Sequence, residues 1–550
     1  MKRDIVMKKS SFVNGALITT IGIIITKILG VLYVIPFHAI IGETGGALYG
    51  YAYTIYLLFM SLSSAGIPLA ISRIVSEYQT LGYYNIKKRA FVLGKRIALV
   101  LGIISFMIIM IFAPLLAKAV MGDVVGGNTV EDIAFVIRVI GTAILIVPIL
   151  SIYRGYFEGH RFMSAPSISQ VLEQLVRVLI IIFGSLISIK YFNLNLTTSV
   201  GVALFGATMG ALVSYIYLVD KLFKNKTKFN IKARDVNEPY VSDKIIIKKI
   251  IMYAFPFIMI DIFKSLYSYI DMFTVVKGLV DYAKYSAIEA ETVYSILSTW
   301  GAKFNMIVLS ISTGVVVSLI PNLTESIVKK DKKQVNKKIV QALSILLYLT
   351  VPITFGISFL SEAIWTLFYG ESIYGSSVLS YYIFVGLFTG LFTTTVTVLQ
   401  TLKDYKSVLI SLCIGVLIKL ILNISLLRGF MLINLPPYYG VITATIIGYL
   451  VSFISCLIIL KYKYKVVFEN IIKYLIEILC GSILMILVLT VIGLFVPTYS
   501  ASRIVNLVLI LFYGIVGAIV YFMYINYSGI TNEIFGKNII NSIKKLILKK

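Results

Sequence analysis

The sequence predicts an all-α polytopic membrane protein. About fourteen transmembrane helices are expected, as two six-helix lobes around a central cavity plus two extra C-terminal helices. Three observations predict this. The 550-residue chain is 59% hydrophobic and only 14% charged, whereas soluble domains carry roughly a quarter charged residues. Its apolar residues gather into stretches long enough for a hydrocarbon layer of ~30 Å, which takes about 20 helical residues to cross. Its 50 Lys and Arg residues sort onto alternate connections between those stretches: 37 on the even-numbered connections and the two tails, six on the odd-numbered ones (Lys118, Lys190, Lys277, Lys284, Arg428, Arg503) and seven inside the stretches.

In chain order the spans fall near 11–37, 46–76, 90–117, 132–153, 165–189, 196–221, 248–276, 292–324, 338–362, 373–402, 406–428, 438–461, 469–496 and 503–527. Lys2 to Lys9 precede the first span, which is too long for a signal-peptide core and so stays as helix 1. Lys87 to Arg96 separate spans 2 and 3, Arg154 and Arg161 spans 4 and 5, and Lys221 to Lys249 spans 6 and 7. Lys329 to Lys338 separate spans 8 and 9, Lys403 and Lys406 spans 10 and 11, and Lys461 to Lys473 spans 12 and 13. Lys537 to Lys550 close the chain. Basic loops stay in the cytoplasm during insertion, which puts both termini inside.

The longest and most basic connection divides the chain. The expected organisation is an N-terminal lobe at 1–222 (helices 1–6), a basic cytoplasmic linker at 223–247, a C-terminal lobe at 248–462 (helices 7–12), and helices 13–14 with a cytoplasmic tail at 463–550. An internal repeat at a spacing of 248 residues supports the division: Gly66 and Glu77 match Gly314 and Glu325, and Gly122-Asp123 matches Gly370-Glu371. An even helix number per lobe makes this a parallel repeat, with its axis along the membrane normal.

The net charge of +25 does not imply nucleic acid, because it lies in loops facing anionic headgroups. No P-loop, HExxH, GxSxG or EF-hand pattern is present, so ATP hydrolysis and common hydrolytic chemistry lack their machinery. Cys413, Cys456 and Cys480 lie in apolar stretches without CxxC spacing, which indicates neither a disulfide framework nor a metal site. His38 and His160 read as solvated interfacial residues. The odd-numbered connections are short, with scattered Asp123, Glu131, Asp132, Asp281, Glu289 and Glu291. A transporter without a cofactor is therefore favoured over an enzyme.

The seven embedded cations are Lys27, Arg73, Arg138, Arg177, Lys264, Lys303 and Lys419. Each costs roughly 2.5–3.5 kcal/mol to insert at a helix centre, so a cation-lined cavity for a multiply anionic head group is expected. The expected substrate-binding residues are Lys27, Lys303, Lys264, Arg73, Arg177 and Arg138. Arg177 follows Glu173 by four residues and Lys264 follows Asp261 by three. Those spacings put each pair on one helix face, where neutralising the helix is an equal reason for the charge. Arg73 and Arg138 sit near span ends, within snorkelling reach. Lys27 and Lys303 have no carboxylate within four residues and lead the set.

Four stretches carry a family resemblance. They are Lys27-Ile-Leu-Gly-Val-Leu-Tyr-Val-Ile-Pro36, Ala65-Gly-Ile-Pro-Leu-Ala-Ile-Ser-Arg-Ile-Val-Ser-Glu-Tyr78, Tyr153-Arg-Gly-Tyr-Phe-Glu-Gly159 and Ser169-Gln-Val-Leu-Glu-Gln-Leu-Val-Arg-Val178. The chain resembles the polysaccharide-biosynthesis branch of the multidrug/oligosaccharidyl-lipid/polysaccharide (MOP) exporter superfamily, of the stage V sporulation protein B and Gram-positive MurJ lipid II flippase type. The resemblance implies an undecaprenyl-pyrophosphate-linked glycan as substrate, most of all the peptidoglycan precursor lipid II, moved from inner to outer leaflet by alternating access. It implies a multi-pass protein of the bacterial cytoplasmic membrane, a basic cavity residue at Lys27, a lipid-tail groove at helices 13 and 14, and cell-wall synthesis proteins as partners. One departure is Val34, where relatives often carry Arg. Other lipid-linked polysaccharide units (capsule, exopolysaccharide, spore cortex), a cation-coupled multidrug exporter and a non-transporting scaffold are the alternative readings. With no ATP site, membrane potential or an ion gradient is expected to reset the carrier.

Overall fold

The computed structural model describes residues 22, 25–64, 66–122, 124–229 and 238–536. Both basic tails, most of the first span's leading half, Asp123 and the middle of the linker lie outside the described residues. Among those described, the chain is helical without a strand. Twelve helices are long and apolar enough to cross a membrane, and a 39-residue helix at Asp243–Asp281 covers the seventh expected span.

The chain forms two compact units, one of residues 1–280 with 285–298 and one of 281–284 with 299–550. In the first unit, helical residues 25–32 lead into α1 (Val34–Ser64), bent at Gly42, whose φ of 64° suits glycine. The expected second span is split: α1 ends at Ser64, and α2 (Ile67–Leu81) restarts after Gly66 with Pro68 in its first turn. A Cβ on Gly66 would lie 2.5 Å from the Ala254 carbonyl oxygen. Then come α3 (Tyr84–Met121), α4 (Val130–Gly141) and α5 (Val147–Gly159). A 3₁₀ turn at Thr142–Leu145 joins the last two, ahead of Pro148, which has no N–H for an α-helical bond.

Next come α6 (Ser164–Leu179), a π-helical turn at Ile180–Gly184, α7 (Ser185–Lys190), α8 (Leu196–Lys224) and α9 (Asp243–Asp281). The last helix of the unit is α10 (Ala287–Ser295), opened by a Ser286–Glu289 capping box and followed by a second π-helical turn at Ile296–Trp300. The linker is not loose at its ends. Glu238 accepts hydrogen bonds from the Asn85 and Ile86 N–H groups at the start of α3, and the buried Lys87 ammonium donates to the Phe229 carbonyl.

The second unit holds α11 (Ala302–Val328), α12 (Lys332–Phe359), α13 (Ser361–Tyr369), α14 (Gly375–Thr401), α15 (Tyr405–Leu432) and α16 (Pro437–Tyr464). It ends with α17 (Glu469–Gly493), α18 (Arg503–Tyr527) and the short α19 (Ile530–Phe535). The repeated glycine pairs differ in fate. Gly122 and Gly370 both cap a helix C-terminus at positive φ, 61° and 86°. Gly66 breaks a helix, whereas Gly314 lies inside the unbroken α11.

Several helices end on a basic residue where glycine is usual. Arg161, Lys330 and Lys403 follow α5, α11 and α14 at φ of 63°, 56° and 61°. Each closes a Schellman turn, through Phe162 N–H to Phe157 O, Asp331 N–H to Ser326 O and Asp404 N–H to Leu399 O. A cation there also complements the helix dipole.

Two sequence expectations are corrected by burial. His160 is not solvated: it is 3% exposed, its Nδ1 meets the Tyr156 carbonyl and its ring packs on Phe229. Arg154 is no loop residue, because α5 continues through it to Gly159.

Candidate substrate site

Close backbone approach builds the site in the first unit. Gly155 and Gly159 on α5 press against α2, where a Cβ would come within 2.3 Å of the Pro68 carbonyl oxygen and 2.6 Å of that of Ser72. On α8, a Cβ at Gly210 would lie 2.5 Å from the Glu173 carbonyl oxygen. Small residues let membrane helices pack backbone to backbone, and here they bring α5, α6 and α8 around one carboxylate. The resemblance stretches at 66–78 and 153–159 are thus the two sides of the α2–α5 contact, and 169–178 supplies the α6 side of the contact with α8.

Ser169, Glu173 and Arg177 repeat every four residues on one face of α6. Glu173 holds two guanidiniums, its Oε2 2.7 Å from Arg154 Nη2 and its Oε1 2.6 Å from Arg177 Nη2. Arg154 also donates to the hydroxyls of Ser169 at 2.9 Å and Ser214 at 3.1 Å, both fully buried. Two guanidiniums against one carboxylate leave one positive charge in surplus. The Arg177 Nε–H has no hydrogen-bond partner. Tyr49, Tyr53 and Tyr56 of α1 lie within electrostatic reach of that guanidinium, with successive ring centroids 5.7 Å apart. A guanidinium with a free donor, ringed by phenols, suits phosphate oxygens and sugar hydroxyls.

The other expected residues disperse. Lys27 is half-buried on the helical stretch that runs beside α6, where a Cβ on Gly30 would lie 3.7 Å from Gln174 Nε2. Lys264 on α9 stands 4.0 Å from Asp261, both partly exposed. Arg73 lies on the open face of α2, its guanidinium 4.4 Å above the Tyr253 ring, in a recess of about 820 Å³ shared with Glu77 and Glu158. Arg138 is exposed on α4 and donates to the Met110 carbonyl at 3.3 Å, so it satisfies a neighbouring helix and does not join the cluster. Lys303 is half-buried at the start of α11 in the second unit. Lys419, fully buried in α15, donates to Thr445 Oγ1 at 2.6 Å. The sequence reading missed Arg154, although the four-residue rhythm of Ser169, Glu173 and Arg177 signals a face that a further cation could share.

The second unit carries a different feature. Helices α12, α13, α17 and α18 wall an apolar groove of about 350 Å³, lined by Pro352, Ile353, Leu489, Gly514, Gly517 and Tyr521 among others. The Tyr513 and Tyr521 hydroxyls donate to the Val496 and Tyr348 carbonyls, so the rings present carbon to the groove. Gly356 and Gly514 have nothing within 4 Å of a would-be Cβ. The groove suits a hydrocarbon chain. No cluster of metal-ligating side chains occurs among the described residues.

Residues 12–324 match the family model described as polysaccharide biosynthesis protein. Over 549 residues the chain is 33% identical to the lipid II flippase MurJ of Bacillus subtilis, covering 98% of this chain and 99% of that one. It is 30% identical over 226 residues to stage V sporulation protein B of the same organism, covering 41% and 42%. Among solved structures it is similar to lipid II flippase MurJ in an inward closed conformation, at a TM-score of 0.67 and 17% identity over 94% of this chain and 99% of that one. It is also similar to an inward-facing multidrug resistance MATE family transporter of the MOP superfamily, at a TM-score of 0.65 and 15% identity over 82% and 98%. At these identities the two structures speak for the fold.

Proposed function

From the premise that the chain belongs to the polysaccharide biosynthesis protein family, we propose that it is a lipid-linked oligosaccharide flippase of the bacterial membrane, a transporter and not an enzyme. Its substrate is undecaprenyl-pyrophosphate-linked lipid II, moved from the inner to the outer leaflet by alternating access. One observation carries this reading beyond the family: the chain holds both a buried cluster with surplus positive charge, Arg154–Glu173–Arg177, and an apolar groove. An anionic pyrophosphate on a long hydrocarbon tail is the ligand that needs both. A cationic drug needs neither a surplus of guanidinium nor a tail groove.

In this reading Arg177, Lys27, Lys264 and Arg73 in the first unit and Lys303 in the second contact the pyrophosphate and sugar at successive stages. Arg154 positions Glu173 and Arg177, and Arg138 stays on its outward face. The lobes are assigned by the repeat, as 1–222 and 248–462 with the linker 223–247 between them and 463–550 supplying the tail groove. Both termini and the basic connections face the cytoplasm, and cell-wall synthesis proteins are the partners. The similarity to stage V sporulation protein B supports a second reading, in which the same chemistry serves another lipid-linked glycan.

The test is complementation of cells depleted of their own lipid II flippase, scored by growth and by outer-leaflet labelling of lipid II. Rescue by wild type, with failure of Lys27→Ala, Arg177→Ala and Lys303→Ala at matched abundance, is the expected result. A well-inserted wild type that does not rescue moves the substrate to another lipid-linked glycan.

A further inference from the structure

One buried charge has no part in the substrate cluster. Glu291, in α10, is 0% exposed. Its Oε2 accepts two hydrogen bonds from Asn128, one from the backbone N–H and one from Nδ2, both at 3.0 Å. Asn128 Nδ2 also donates to the Thr44 carbonyl, and Gly127 leaves so little room that a Cβ there would sit 2.5 Å from Oε2. The other oxygen, Oε1, lies near the Tyr51 hydroxyl, a donor whose proton can reach it, although no well-aligned hydrogen bond joins the two. The Tyr51 ring, itself 0% exposed, stacks on that of Tyr294 with centroids 4.5 Å apart.

The charged and titratable groups around Glu291 are few. Tyr51 faces it from α1, stacked on Tyr294 of α10, with Tyr269 of α9 near Tyr294. Asp132 of α4 lies within electrostatic range, held by Thr129 and Thr197. Glu289, two residues earlier, is committed to the capping box. None of these supplies a positive charge, and among the described residues Glu291 forms no ion pair. A carboxylate there would be a buried charge met only by neutral donors, Asn128 and Tyr51, with no cation to pair it, which the interior tolerates poorly. One phenol and one carboxyl oxygen are too few ligands for a hard cation such as Ca²⁺ or Mg²⁺, which takes about six or more oxygens. A proton on Oε1 removes the unpaired charge and keeps the contact, the acid O–H donating to the Tyr51 oxygen where the phenol would otherwise donate to the carboxylate.

The segment bearing Glu291 gives this proton a consequence. Residues 285–298 pack with the first unit, while the chain on either side of them, 281–284 and 299 onward, belongs to the second. The segment ends in the π-helical turn Ile296–Trp300, a distortion common at functional sites. We propose that Glu291 is a proton-binding site, that its protonated form docks residues 285–298 on the first unit through Asn128 and Tyr51, and that loss of the proton to water releases the segment. The site stands on its own geometry. Its role as the coupling site that resets the carrier rests on the flippase reading.

The experiment is hydrogen–deuterium exchange of the full-length protein in nanodiscs across a pH series, corrected for intrinsic exchange, reading residues 285–298. Wild type should lose protection there as pH rises, by about tenfold per pH unit at the limiting slope of one-proton linkage. Glu291→Gln, an isosteric neutral mimic, should stay protected at every pH. Tyr51→Phe keeps the ring stack and should shift the midpoint. Exchanging Na⁺ for choline at fixed pH should change nothing. Equal pH profiles for wild type and Glu291→Gln, or protection that follows Na⁺, would overturn the proposal. Vesicle flipping assays run alongside separate the two readings. pH-dependent protection without flipping of any lipid-linked glycan sinks the flippase and leaves the proton site, whereas flipping with pH-indifferent protection does the reverse.

Discussion

Glu173 and Lys27 both sit among embedded charges, but their removal should be felt in different assays. Glu173 is the sole carboxylate between two guanidiniums, and breaking a buried pair costs about 3–5 kcal/mol because it strands the remaining charges. Glu173→Gln should therefore lower the thermal midpoint of the purified protein by several degrees. Lys27→Ala removes a half-buried cation and should leave that midpoint nearly unchanged while abolishing rescue of flippase-depleted cells. If the two variants lose stability equally, the division of labour between framework and substrate contact is wrong. At this scale the sequence was half legible. The spacings of Glu173 with Arg177 and of Asp261 with Lys264 announced their pairs, because i,i+3 and i,i+4 neighbours must share a helix face. Arg154 and Glu291 were misjudged as loop residues for one reason: hydropathy places a charged residue outside a span, and only tertiary packing shows that partners have drawn it inside.

At the scale of helices, the α2–α5 contact is a backbone-to-backbone crossing with no slack. Gly155→Ala should cost about 1–3 kcal/mol, the usual range for overpacking. Gly429→Ala, in α15 with open space around it, should be neutral or slightly stabilising. Comparing both by thermal unfolding in detergent checks whether the Gly155–Gly159 spacing encodes packing. Helix ends carry the pH dependence. Burial would raise the carboxyl of Asp404, but hydrogen bonds from Lys463, Ser407 and Tyr464 outweigh it and hold the group below the usual carboxylate range. A carboxyl depressed by folding stabilises above its unfolded pKa, and that stability is lost as pH falls through the folded value. Asp404→Asn keeps an oxygen to cap α15 but loses the partly exposed ion pair with Lys463, so it should cost about 1 kcal/mol near neutrality and progressively less in acid. A thermal-midpoint difference that persists unchanged into acid would contradict this. From the third span on, the span positions were legible from hydropathy alone. The break at Gly66, the 3₁₀ turn before Pro148 and the two π-helical turns were not, since each departs from ideal geometry within an apolar run.

For the molecule as a whole, one chain must handle a charged head and a hydrocarbon tail, and the groove walled by α12, α13, α17 and α18 offers a test of the second task. Gly514 opens onto free space, so Gly514→Leu should fit without strain, fill the groove and cut flipping of long-tailed substrates severalfold, with a thermal midpoint like wild type. Unchanged flipping would remove the groove from the pathway. That the chain is a bundle of membrane-length helices was legible from composition and the length of its apolar stretches. The grouping of residues 285–298 with the first unit was not, since it is a matter of tertiary contact that no local pattern records. The basic residues that close α5, α11 and α14 tie these scales together. Replacing Arg161, Lys330 and Lys403 with glycine would relax three helix ends by about 1 kcal/mol each, yet it would erase three positive charges from connections that the proposed orientation puts in the cytoplasm, where basic residues guide insertion. The more comfortable protein would be the one more prone to be threaded upside down, so part of this sequence is best understood as instructions for the moment of its synthesis, kept at some expense to the finished object.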